Sequence, residues 1–140
     1  TYLALKDQIS LVILVEGDAQ ALRLLDEPSE AIGVHLRTRP VIAELPLSRN
    51  LHVVVYTDGL ILAGDRQGTP FDIVAFVRDH LAAGSDEGTA CSLADALLAR
   101  AVELDRGRPA DDVSVVVVSI VARARPDDVR RMSVRFPIKP

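Results

Sequence analysis

Two stretches decide the fold: LHVVVYTDGL at residues 51–60 and RPADDVSVVVV at residues 108–118. Each holds a β-branched apolar run of strand length, too short and too continuous for an amphipathic helix. The first predicts a strand from Leu51 to Thr57, ending in the turn signal Asp58-Gly59. The second predicts a strand from Val113 to Val121, entered through Asp111-Asp112. Both runs are apolar on both faces, as strands covered on both sides are. If the two are antiparallel neighbours, the end of the first lies beside the start of the second. Asp58 and Asp111 then meet at one end of the sheet, with carboxylates expected within about 6 Å of each other.

Between these strands the periodicity changes to that of helices. Residues 70–83 read as one, with Thr69 as N-cap, Pro70 in the first turn and Gly84 as C-cap. Ile73, Val77 and Leu81 recur on one face, with Val74 beside them. Residues 92–104 read as a second helix with Leu93, Ala96, Leu97 and Ala101 on its apolar face, stopped by Gly107 and Pro109. Upstream, residues 9–15 (ISLVILV) and 19–25 (AQALRLL) suggest a hairpin turning at Glu16-Gly17-Asp18, and residues 41–45 a short strand. Leu60 to Ala63 continues as a short apolar segment, Asp65 to Pro70 as a polar turn, and residues 132–138 (MSVRFPI) as a last strand. Strands, then two helices, then strands give an α+β class with helices packed on an antiparallel sheet.

The whole chain has 140 residues, 49% hydrophobic and 26% charged, which suits one globular domain. Aromatics are 4% and Trp is absent, so the core is aliphatic. The net charge of −4 argues against nucleic acid as the main partner. No apolar run approaches the ~20 residues of a membrane helix, and no signal peptide opens the chain, so a cytoplasmic setting is expected. The chain opens on Thr1 rather than Met, so sequence upstream is expected as well. Cys91 is the lone cysteine, read as a small buried side chain near a helix start, and His35, His52 and His80 show no ligand spacing. His52 lies within a strand and reads as a packing or an exposed residue rather than a catalytic one. The cluster Arg123, Arg125, Arg130, Arg131 and Arg135 reads as a solvated tail, with phosphate contact the alternative.

Chemistry therefore concentrates at Asp58 and Asp111. Carboxylates brought together repel unless a cation neutralises them, and hard divalent ions such as Mg²⁺ or Mn²⁺ take such oxygen ligands. The plainer alternative is that Asp58-Gly59 is only a turn and Asp111 only a loop residue. Two carboxylates are also a sparse metal site. Asp65 lies on a loop that could approach it.

VVVYTDGL, a helix pair, then RPADDVSVVVV together resemble the C-terminal half of the metal-dependent protein phosphatases of type 2C, including the sporulation stage II protein E branch. That family carries a strand ending in (Y/C)(T/S)DG and later a DD or DN before a β-run. Val15-Glu16-Gly17-Asp18 resembles its V-GD hairpin turn and Ile32-Gly33-Val34 its LG(V) loop, so the likeness runs from about Leu11 to Val121. The resemblance implies part of an αββα sandwich and hydrolysis of phosphoserine or phosphothreonine in a protein substrate. It implies Mn²⁺ or Mg²⁺, two ions in a complete site, and in-line attack by a metal-activated water without a phosphoenzyme. It also implies Asp58 and Asp111 as metal ligands, with Gly59 and Asp112 supporting them from behind.

The family places another metal-binding aspartate, in a DGxG-type motif, well before this hairpin. No such motif precedes Leu11. The 140 residues are therefore expected to form a single domain that is the C-terminal portion of a longer phosphatase domain. Two rivals stand beside this reading. One is a non-catalytic module of the same fold that binds a regulatory protein. The other is an unrelated metal-free α+β domain.

Overall fold

A computed structural model of the chain describes residues 2–5, 11–16, 21–25, 41–44, 50–83 and 89–120. Its strands are β1 (Tyr2–Leu5), β2 (Leu11–Glu16), β3 (Ala21–Leu25), β4 (Val41–Glu44), β5 (Leu51–Tyr56) and β6 (Val115–Ile120). Between β5 and β6 lie α1 (Asp58–Ile61), a 3-10 turn (Asp65–Gln67), α2 (Ile73–Ala82) and α3 (Thr89–Leu104). The fold is α+β, as expected. A four-stranded antiparallel sheet runs in the order β3-β2-β5-β6, and β1 pairs with β4 in a second, two-stranded ladder. β1 has no counterpart in the sequence reading, because YLAL suits helix and strand equally and only pairing with β4 decides.

The expected adjacency of the two valine-rich strands holds. β5 and β6 are antiparallel, from Leu51 opposite Ile120 to Tyr56 opposite Val115. β2 and β3 form the expected hairpin, and β2 flanks the other edge of β5.

The helix pair packs on one face of this sheet. Ile73 and Val77 of α2 join Leu93, Leu97 and Ala101 of α3, Val54 and Tyr56 of β5, and Leu60 and Ala63 in one buried cluster. Leu81 and Val74 pack against it, as the helical spacing predicts. Full burial of a Leu or Val side chain contributes about 1.5–3 kcal/mol, so this cluster is what fixes the helices to the sheet.

Asp58-Gly59, the expected turn, opens the one-turn helix α1, and Leu60 of the apolar segment after it is buried in the core. Two expectations are corrected here. α2 does not start at Pro70 under a Thr69 cap. Thr69 N–H donates to Gly64 O and Phe71 N–H to Ala63 O, which holds residues 69–71 against the preceding turn. Helix therefore begins only at Ile73, where Asp72 caps it by accepting the Ala75 N–H at 2.9 Å. Finally, β6 is not covered on both sides. Val115 and Val117 pack toward the helices, whereas Val116 and Val118 are 58% and 50% exposed. Gly84, the expected C-cap, and the expected strand at 132–138 lie outside the described residues, as does the arginine cluster.

Candidate active site

The end of β5 and the approach to β6 are tied together by three hydrogen bonds of Thr57. Thr57 N–H donates to Ser114 O at 3.1 Å, continuing the ladder one residue past β5. The Thr57 hydroxyl accepts the Ser114 N–H at 3.0 Å and donates to the Asp112 carbonyl at 3.2 Å. A hydroxyl is both donor and acceptor, so a single Thr can fasten two backbone groups of the facing loop. Asp58 follows Thr57 directly, and Asp111-Asp112 lead into Ser114. The two acidic motifs thus lie at the same end of the sheet.

Gly59 makes the closeness possible. A Cβ at this position would stand 2.4 Å from the Asp112 carbonyl oxygen and 3.3 Å from a Val113 methyl group. The backbone of the TDG turn therefore lies directly on the backbone of the DD loop, and only glycine fits between them.

Each aspartate also orders itself. Asp58 Oδ1 accepts the Gly59 N–H at 3.0 Å, and Asp111 Oδ1 accepts the Asp112 N–H at 2.8 Å. Asp58 is half-buried in the first turn of α1 and Asp111 is exposed. Asp111 and Asp112 border a groove of ≈590 Å³ whose far wall is Leu98 and Val102 of α3. Both carboxylates are hard oxygen donors, which fits Mg²⁺ or Mn²⁺ in kind. In number the set is short: the described residues contain no cluster of three or more Asp, Glu, His or Cys side chains placed to hold an ion.

Among the other singled-out residues, Asp65 is exposed in the 3-10 turn. His52 packs within the sheet, its Nδ1 2.8 Å from Ser119 Oγ, and burial holds its imidazole below the usual range. Cys91 is exposed rather than buried, because α3 starts earlier than its periodicity suggested and presents that position to solvent. Sequence reading passed over Thr57 and Ser114 as partners, although Thr57 stands inside the quoted motif. It also passed over Asp105, which carries no local signal at all.

The described architecture defines a class: an α+β module whose acidic turns converge at one end of an antiparallel sheet beneath a helix pair. The family model of Stage II sporulation protein E (SpoIIE) matches residues 9–121, and the chain belongs to that family of PP2C-like phosphatases. The match spans both acidic motifs and both long helices. Comparison with curated proteins finds no match. No helix among the described residues is long and apolar enough to cross a membrane.

Proposed function

We propose that the chain is the C-terminal portion of a metal-dependent serine/threonine protein phosphatase acting on a phosphorylated protein in the cytoplasm. The observation that carries this reading is the fastening of the TDG turn to the DD loop in a chain of the SpoIIE family. Asp58 and Asp111 would hold Mn²⁺ or Mg²⁺, with further acidic ligands supplied from outside this pair. Such ions neutralise phosphoryl charge and acidify water for attack on phosphorus. The chain's own residues set the geometry. Gly59 N–H orients the Asp58 carboxylate and Asp112 N–H that of Asp111. Thr57 keeps the two backbones in register, and Gly59 permits their contact. The groove beside Asp111 offers a substrate segment a partly apolar wall.

The test is Mn²⁺-dependent hydrolysis of a phosphoserine peptide and of p-nitrophenyl phosphate. The 140 residues alone are expected to bind Mn²⁺ weakly and turn over little, because two carboxylates leave most of about six coordination positions to water. Protein extended N-terminally is expected to be active, and Asp58→Asn or Asp111→Asn in it to abolish turnover without unfolding. Full turnover by the double Asn variant would move the site elsewhere. The short ligand set among the described residues is the observation behind a second reading, a non-catalytic module that binds a regulatory protein. Extended protein that folds and binds a partner but never hydrolyses either substrate would establish that reading instead.

A further inference from the structure

Asp105 is the buried charged residue of the helix-packed core, 5% exposed, and no ion pair among the described residues involves it. Its position is costly on elementary grounds. It follows the last turn of α3, where the helix dipole disfavours negative charge, and burial removes the water that would solvate a carboxylate. Two backbone donors offset this cost. Gly64 N–H donates to Oδ1 at 2.9 Å, and Ala110 N–H donates to Oδ2 at 3.2 Å.

Those donors belong to the two segments that carry the site. Gly64 closes the turn that begins with Asp58 and α1; Ala110 immediately precedes Asp111. Gly64 is itself fixed, at φ +81° and with Thr69 O where a Cβ would be. The end of α3 is equally rigid. Gly107 N–H returns to Val102 O and Arg106 N–H to Glu103 O, with Arg106 in the left-handed region at φ 53°. Asp105 is thus a short rigid bracket with one arm on each acidic segment.

We infer that Asp105 is a positioning residue of the candidate site, setting the distance between the Asp58 turn and the Asp111 loop by holding Gly64 and Ala110 on its two carboxylate oxygens. The metal-binding consequence rests on the function proposed above; the bracket itself does not. Thr57 and Gly59 join the two segments on the sheet side, and Asp105 joins them on the helix side. Without it the Asp111 loop keeps one anchor and can pivot about it.

The experiment uses the 140-residue chain, amide-resolved NMR and Mn²⁺ alone as the probe. In Asp105→Asn one oxygen becomes an NH₂ group that cannot accept an N–H. Exchange of whichever of the Gly64 and Ala110 amides loses its acceptor is expected to accelerate about tenfold. The Mn²⁺ concentration that broadens the amide signals around Asp58 and Asp111 is expected to rise about tenfold or more, as when the partners of metal ligands are removed. Val77→Ala, a core change remote from the bracket, is expected to lower the melting temperature while leaving that concentration within about twofold. Asp105→Asn with faster amide exchange but an unchanged Mn²⁺ titration would overturn the inference, as would an equal loss in Val77→Ala.

If Mn²⁺ broadens nothing near Asp58 and Asp111 in the parent, the metal reading fails, and the bracket is judged from the amide chemical shifts of Asp111 and Asp112. Their displacement in Asp105→Asn and constancy in Val77→Ala uphold it; their constancy in both overturns it. Should Asp105→Asn not fold, Ala110→Pro deletes only the 3.2 Å bond and is read by the same criteria.

Discussion

The helix-covered layer and the acidic end of the sheet are held by different forces. In the layer, Val54, Val77, Leu93 and Leu97 are fully buried, and apolar contact packs α2 and α3 against β5. At the acidic end the joining groups are polar: a Thr hydroxyl, a buried carboxylate and a glycine pressed onto a carbonyl. Non-directional contact tolerates small displacements, whereas hydrogen bonds and close backbone approach fix position within tenths of an ångström. The molecule thus derives its stability from one region and its precision from the other.

Leu97→Asp should have the largest effect. It puts an unpaired charge in the middle of the layer and is expected to cost about 4 kcal/mol or more, read by urea unfolding. Gly59→Ala comes next, at about 2–3 kcal/mol, because the new methyl group must push the Asp112 carbonyl away. An unchanged Val113 environment in that variant would show that the close approach is not real. Thr57→Val keeps the shape and removes both hydroxyl bonds, for about 1–2 kcal/mol, with faster exchange of the Ser114 amide.

Val118→Asp sharpens the contrast from the opposite side of the sheet. The position is half-exposed, so the change is expected to cost about 1 kcal/mol or less. A cost near that of Leu97→Asp would show that this face is covered as fully as the helix-packed one. The smallest effect concerns pH. Burial lowers the His52 pKa in the folded state, so the unfolded chain binds the proton more readily. Stability should be fully present above pH ~6.5 and decline as pH falls through that value toward the folded pKa. His52→Gln should flatten this slope in melting experiments at pH 7.5 and 5.5.

The layer was legible because its information is periodic. Val77 and Leu81, and Leu93 and Leu97, follow from spacing alone. Aspartates at matched strand ends followed from the antiparallel relation of two valine runs. What escaped was set by tertiary contact. Residues 69–71 could have opened a helix, but hydrogen bonds to Ala63 and Gly64 reserve them. Val116 and Val118 read the same as Val115 and Val117, and only the side on which α3 lies separates them. Asp105 in the sequence VELDRG looks like one more solvated charge, since nothing local reveals that two distant N–H groups enclose it.

The fastening of Thr57 to Asp112 spans 55 residues of chain, and that of His52 to Ser119 spans 67. Contacts of such separation form late, since loop-closure entropy must be met before they can form. α2 and α3 are local and are synthesised first, whereas the partners of β5 at Val115–Ile120 emerge later. During that interval the valine edge of β5 is unpaired and open to other strands. The acidic end comes into being in the same event that closes this edge. Docking of β6 therefore assembles the acidic end and covers the β5 edge in one event, and β6 takes over the edge of the four-stranded sheet.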